Sequence, residues 1–276
     1  MPASLDQILT AARQRVSQAR RDADMAALER AAAEHTPRGF ERRLREVSKH
    51  GLSVISELKK ASPSKGLIRA DFDPKRLAAE LEQAGTAALS VLTDERFFRG
   101  SLDYLRQASA AVSLPCLRKD FIVDEFQVLE ARANCADAIL LIVAALSGSE
   151  LARLVRYAGS CQLDVLCEAH DEQELQRALD AGCGLIGVNS RDLRTFQVSL
   201  DTAFRLAEKI PDRCVAVAES GIHTGADLAR LRSAGYDAFL IGESLMKMER
   251  PGEALSKLLK EADLELVSSK LEARSS

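Results

Sequence analysis

The chain has no tryptophan, and aromatic residues make up only 4% of its 276 positions. With so few rings to bury, the core is expected to be aliphatic. No run of apolar residues reaches the ~20 needed to cross a bilayer, which excludes a helical membrane span. The first residues, Met1 to Asp6, lack a basic segment followed by an apolar one. No secretory leader is therefore expected, and a cytoplasmic location is. The net charge is −3, without the basic excess of a general nucleic-acid binder. The six cysteines, Cys116, Cys135, Cys161, Cys167, Cys183 and Cys214, form no CxxC pair and lie in or beside apolar runs, so reduced, buried thiols are expected. His35, His50, His170 and His223 have no metal-binding spacing, and no metal is implied. No GxGxxG follows the first strand, which argues against a dinucleotide-binding open sheet.

What is present is rhythm. Leu5, Ile8, Leu9, Ala12 and Val16 form a helical stripe, and a short helix is expected from Phe40 to Val47 after the break at Pro37 to Gly39. Val54 and Ile55 open a strand. From there, strand-like runs recur every 20 to 35 residues, each followed by a helix signal. Asp73-Pro74, Ser101, Asp124, Ser147, Asp171 and Thr224 read as helix starts. The run Ala138 to Ala144 is continuously apolar, as in a parallel strand covered on both faces. About eight such units fit a (β/α)₈ TIM barrel. No linker divides the chain, so one domain is expected: an N-terminal helical extension over 1–48, the barrel over 49–264, and a polar tail over 265–276 that frays.

In a TIM barrel the active site lies at the C-terminal ends of the strands. Those ends carry Glu57 and Lys59, Lys119, Glu168, Asn189 with Arg191, Glu219-Ser220-Gly221 and Gly242-Glu243-Ser244. Any one could be a solvated rim residue; together on one face they form a site. The last two turns contain glycine and enter helices, so their backbone N–H groups can converge on a phosphate, and Ser62 can add a hydroxyl. Lys119 and Glu168, from the third and fifth strands, can face each other as proton donor and acceptor. Lys59 and Arg191 supply cations for anions or carbonyls, and Glu57 lies on the same face of the strand as Lys59 and can orient it.

The stretches SELKKASPSKG at 56–66, LTDERFFRGS at 92–101, LRKDFI at 117–122, CEAHDEQEL at 167–175, GVNSRDL at 187–193, AESGI at 218–222 and IGESLM at 241–246 resemble, in order, the motifs of the indole-3-glycerol phosphate synthase family of tryptophan biosynthesis. The resemblance spans residues 4 to about 262. It implies ring closure of 1-(2-carboxyphenylamino)-1-deoxyribulose 5-phosphate with loss of carbon dioxide and water, and without a cofactor. It implies Lys119 as general acid, Glu168 in the proton transfers of dehydration, and Lys59 near the substrate carboxylate, held by Glu57. Asn189, Arg191, Glu219 and Ser220 match further site positions. Ser62, Gly221, Gly242, Glu243 and Ser244 match the phosphate site, and Phe97, Phe98 and Phe121 the pocket for the aryl ring. Cys116, Cys167, Ala169 and Ser190 depart from the usual family residues without removing a catalytic group. The implied partner is a small phosphorylated substrate, with no nucleic acid or membrane, in a monomer or homodimer. The alternatives are a Schiff-base aldolase of the same fold and a non-catalytic barrel that binds a phosphorylated ligand.

Overall fold

The computed structural model describes residues 4–193 and 195–275. In chain order, α1 (Leu5–Asp22), α2 (Met25–Glu34) and α3 (Phe40–Ser48) precede β1 (Ser53–Leu58) and a small antiparallel pair, β2 (Ala61–Ser62) and β3 (Gly66–Leu67). Next come α4 (Pro74–Gln83), β4 (Ala88–Leu92), α5 (Glu95–Phe98), α6 (Leu102–Ala111), β5 (Cys116–Lys119) and α7 (Glu125–Ala133). They are followed by β6 (Ala138–Ile142), α8 (Gly148–Ser160), β7 (Asp164–Ala169), α9 (Glu172–Asp180), β8 (Leu185–Asn189) and α10 (Asp201–Ala207). The last elements are β9 (Val215–Glu219), α11 (Gly225–Ser233), β10 (Ala238–Ile241), α12 (Glu243–Met246) and α13 (Pro251–Ser275).

Strands β1 and β4 to β10 pair in parallel around a closed circle, with β1 meeting both β4 and β10. This is the TIM barrel expected from the spacing. The caps explain where the helices begin. Asp73, Ser101, Asp124, Ser147, Asp171 and Thr224 each accept a hydrogen bond from a first-turn N–H, satisfying donors that have no intrahelical partner.

The N-terminal stripe lies wholly in α1, and Asp24 caps a second helix, α2, after it. The extension spans the barrel from mouth to base. At the mouth, Arg15 binds Asp94 and Asp120, each at 2.7 Å. On the flank, α2 packs on α7. At the base, the Arg38 guanidinium holds Asp137 at 2.6 Å, and the N–H of Glu41 donates to Asp164 at 2.9 Å. Phe40 and Leu44 of α3 are fully buried there.

One expectation holds with an exception and one is corrected. The core is mainly aliphatic, yet its largest fully buried side chains are Tyr236, Phe40 and Phe239. Tyr236 fits because its hydroxyl donates to the carbonyl of Ala203 at 2.8 Å. Cys167 and Cys183 are joined in a disulfide rather than reduced. One belongs to β7 and the other precedes β8, so one βα unit returns the chain to the neighbouring strand and brings their Cα atoms to 6.5 Å. The last helix, α13, runs to Ser275. Among the described residues, no helix is long and apolar enough to cross a membrane.

Candidate active site

A cavity of about 460 Å³ opens at the C-terminal mouth of the barrel. Its floor is Lys119, the last residue of β5. The Lys119 Nζ lies 2.6 Å from Glu219 Oε2 at the end of β9 and 3.2 Å from Glu168 Oε2 on β7. Both carboxylates are almost fully buried, at 1% and 2% exposure. Residues far apart in the chain meet because each ends a strand of one closed sheet.

Burial alone would discharge Lys119, but Glu219, Glu168 and Glu57 outweigh it and hold its pKa above the ordinary lysine range. The two carboxylates then part ways. Burial pushes Glu168 up, yet the Lys119 charge and a contact to His170 bring it below the usual range. Burial also pushes Glu219 up; Lys119 only partly opposes it, and the nearby Glu168 charge adds to the rise, so its pKa is about 7. One cation cannot keep two adjacent buried carboxylates equally ionised.

Glu57 and Lys59 form an ion pair at the end of β1. Gly242 makes room for it: a Cβ there would lie 2.6 Å from Glu57 Oε1. Ser62 on β2 is buried, and its hydroxyl has no hydrogen-bond partner. Ser220 and Gly221 both have left-handed backbone, with φ of 67° and 81°. That conformation is costly for a serine and is often retained at functional turns. Glu243 opens α12 beside Gly242, and its carboxylate pairs with Lys247 at 2.6 Å and Arg191 at 3.5 Å. The Asn189 side chain accepts from the Arg191 N–H at 3.0 Å.

The cavity brings together Glu57, Lys59, Ser62, Phe98, Lys119, Phe121, Glu168, Asn189, Arg191, Glu219, Ser220, Gly221, Gly242, Glu243 and Ser244. Phe98 and Phe121 form its aromatic wall, with ring centroids 6.2 Å apart. Phe97 does not line it. Adjacent residues of a helix point about 100° apart, and in α5 that places Phe98 on the cavity while Phe97 lies against the Arg96 guanidinium at 5.3 Å. The sequence reading missed Leu5 and Ile8 of α1, and Leu193, Phe196 and Val198 after β8, all of which line the cavity. The helical stripe of α1 was visible, but nothing in it says which end reaches the mouth.

Paired acid and base groups at the C-terminal mouth of a closed (β/α)₈ barrel define a class, the TIM-barrel enzymes that work by proton transfer. Solved structures of low identity agree on the fold alone. Thiamine phosphate pyrophosphorylase from Pyrococcus furiosus superposes with a TM-score of 0.59 at 16% identity, over 80% of this chain and 98% of that one. The family model of indole-3-glycerol phosphate synthase matches residues 5–258. A relative of that name from Koribacter versatilis (strain Ellin345) is 54% identical over 94% of this chain and 100% of its own length. Another, from Polaromonas sp. (strain JS666 / ATCC BAA-500), is 48% identical over 92% of this chain and 97% of its own. The chain belongs to the indole-3-glycerol phosphate synthase family.

Proposed function

We propose that this cavity closes the indole ring of 1-(2-carboxyphenylamino)-1-deoxyribulose 5-phosphate by general acid–base catalysis, as a decarboxylating lyase. The observation that carries the residue roles is the Lys119 ammonium set between two buried carboxylates. In ring closure an aryl carbon attacks the ribulose ketone and a carbon–carbon bond forms. The ketone oxygen becomes an alkoxide, more basic than an amine, so even a strongly charged ammonium can protonate it. Breaking the bond to the carboxylate releases carbon dioxide and returns its electron pair to the ring. Dehydration then needs a base to take a proton while the hydroxyl leaves with another. Glu168, held ionised, is the base. Glu219, partly protonated at neutral pH, stands 2.6 Å from Lys119 and can return a proton to it.

Lys59, held by Glu57, receives the substrate carboxylate. The phosphate sits on the Ser62 hydroxyl and on the N–H groups at Ser220-Gly221 and Gly242-Glu243-Ser244, with Arg191 beside them. Phe98 and Phe121 face the aryl ring. Asn189 steadies Arg191 and adjoins Glu168. A Schiff base on Lys119 would need a neutral amine, which the two carboxylates oppose. All these groups come from one chain, so a monomer suffices, and a cytoplasmic biosynthetic role fits a soluble phosphorylated substrate.

The test is the appearance of indole absorbance when the carboxyphenylamino substrate meets the pure protein. Replacing Lys119 with alanine is expected to lower kcat/KM by at least ~10²-fold, or ~3 kcal/mol. Unchanged turnover in that variant would remove Lys119 from the chemistry.

A further inference from the structure

Glu168 has a second cation that Glu219 lacks. Its Oε2 faces Lys119, while its Oε1 lies 3.4 Å from Nε2 of His170. His170 follows Glu168 by two positions, one residue past the end of β7, so continuing the strand alternation puts both on one face. On the far side of the ring, Glu174 in the first turn of α9 grips the same residue twice. Its Oε2 accepts from the backbone N–H of His170 at 2.8 Å and meets the ring Nδ1 at 2.9 Å. The ring and the Glu174 side chain are 14% and 15% exposed.

An imidazole with a carboxylate at each nitrogen has one comfortable state. Either neutral tautomer would turn a lone pair toward an anion, whereas the imidazolium hydrogen-bonds Glu174 through Nδ1 and faces Glu168 from Nε2 as an ion pair at 3.4 Å, without a formed hydrogen bond. Glu219 is arranged differently. Lys119 is its cation, and its Oε1 is buried without a hydrogen-bond partner. Two carboxylates share one lysine, but the environment around them is lopsided.

We propose that His170, steered by Glu174, is a positioning residue that keeps Glu168 the ionised member of the carboxylate pair and leaves Glu219 the protonatable one. The catalytic consequence rests on the function proposed above: His170 decides which carboxylate is the base. The groups facing Glu168 are Lys119 from β5, Asn189 from β8, Glu219 from β9 and His170, with Glu57 of β1 beyond the lysine. Of these, Lys119 and His170 carry the positive charge, and Glu219 already claims part of the lysine. The titration directions agree with the geometry. Burial would lower His170, but Glu168 and Glu174 raise it to about 10.

Two measurements test the assignment. The first is the protonation state of His170 in the ligand-free protein, read from its ring ¹⁵N and ¹³C shifts across pH. The ring is expected to stay charged through pH 8 and to titrate at lower pH in Glu174→Gln. A His170 ring that is neutral at pH 7 overturns the proposal. The second is the pH profile of kcat/KM. In His170→Asn the acidic limb is expected to move up by at least about one pH unit, an approximately tenfold loss on that limb, while the plateau above it changes much less. Glu174→Gln, which keeps the ring in place, is expected to shift the limb in the same direction by less. A uniform loss at every pH in both variants would reveal a purely structural role and overturn the proposal. A wild-type protein that makes no indole product would overturn the functional reading instead, and the ring titration would still decide the state of His170.

Discussion

Glu219 owes its position to a glycine on the neighbouring strand. A Cβ at Gly187 of β8 would overlap Glu219 Oε1 and stand 3.2 Å from Leu166 Cδ1. No left-handed backbone demands glycine there, so Gly187→Ala acts through space alone. The methyl should push the carboxyl away from Lys119. Losing one charge-assisted hydrogen bond in a buried site costs about 1.5–3 kcal/mol, or roughly 10- to 100-fold in kcat. Because the loss passes through Glu219, adding Glu219→Gln to Gly187→Ala should cost little more. Steady-state kinetics of the two single variants and the double variant check this, and additive losses would show that the glycine acts elsewhere.

At the scale of elements, α1 is fastened to the mouth by one side chain. Arg15 reaches Asp94, which caps α5, and Asp120, which follows Lys119 directly. Asp120 is also bound by Arg118 at 3.0 Å and by Thr93 at 2.8 Å, so it keeps partners when Arg15 is lost. Arg15→Ala is therefore expected to cost about 1–3 kcal/mol in a urea titration. It should also raise KM, since α1 carries Leu5 and Ile8 to the cavity wall. An unchanged KM would mean that α1 stays seated without its arginine.

The elements themselves were largely legible. A strand such as Ala138–Ile142 shows as a continuous apolar run because helices and barrel interior cover both its faces. The site was legible because Lys119, Glu168 and Glu219 each end such a run. What the chain hides is three-dimensional neighbourhood. Nothing local distinguishes Phe97 from Phe98, since the choice depends on how α5 is rotated over the mouth. The pair Cys167 and Cys183 meets only through the parallel pairing of β7 with the strand after it. His170 was within reach: period-two alternation beyond Glu168 points to it, but an apolar run is easier to follow than the polar step after it.

For the whole molecule, these charge environments set how stability follows pH. Glu168, Asp120 and Asp137 have pKa values below their ordinary ones of 4.5, 3.8 and 3.8. In each, burial opposes ionisation and is outweighed: by Lys119 at Glu168, by Arg118 and Arg15 at Asp120, and by His35 and Arg38 at Asp137. The unfolded chain takes up protons first at these groups, so their stabilisation is present above about pH 4.5 and is lost as pH falls below it. Glu219 and His170 act in the opposite sense, because the folded state holds their protons more tightly. The Glu219 contribution is full below 4.5 and fades as pH rises to about 7, and that of His170 is full below 6.5 and fades as pH rises to about 10. The carboxylates of the first set contribute fully above about pH 4.5, where the Glu219 contribution begins to fade, so stability is expected to peak near pH 4.5 and to decline on the alkaline side, first through Glu219 and then through His170. Urea midpoints measured from pH 3 to pH 10 check the shape. In His170→Asn the slope between pH 6.5 and 10 should flatten, while the acid-side fall keeps the contributions of Asp120 and Asp137. An alkaline slope identical in wild type and variant would mean that the ring carries no extra proton in the folded state.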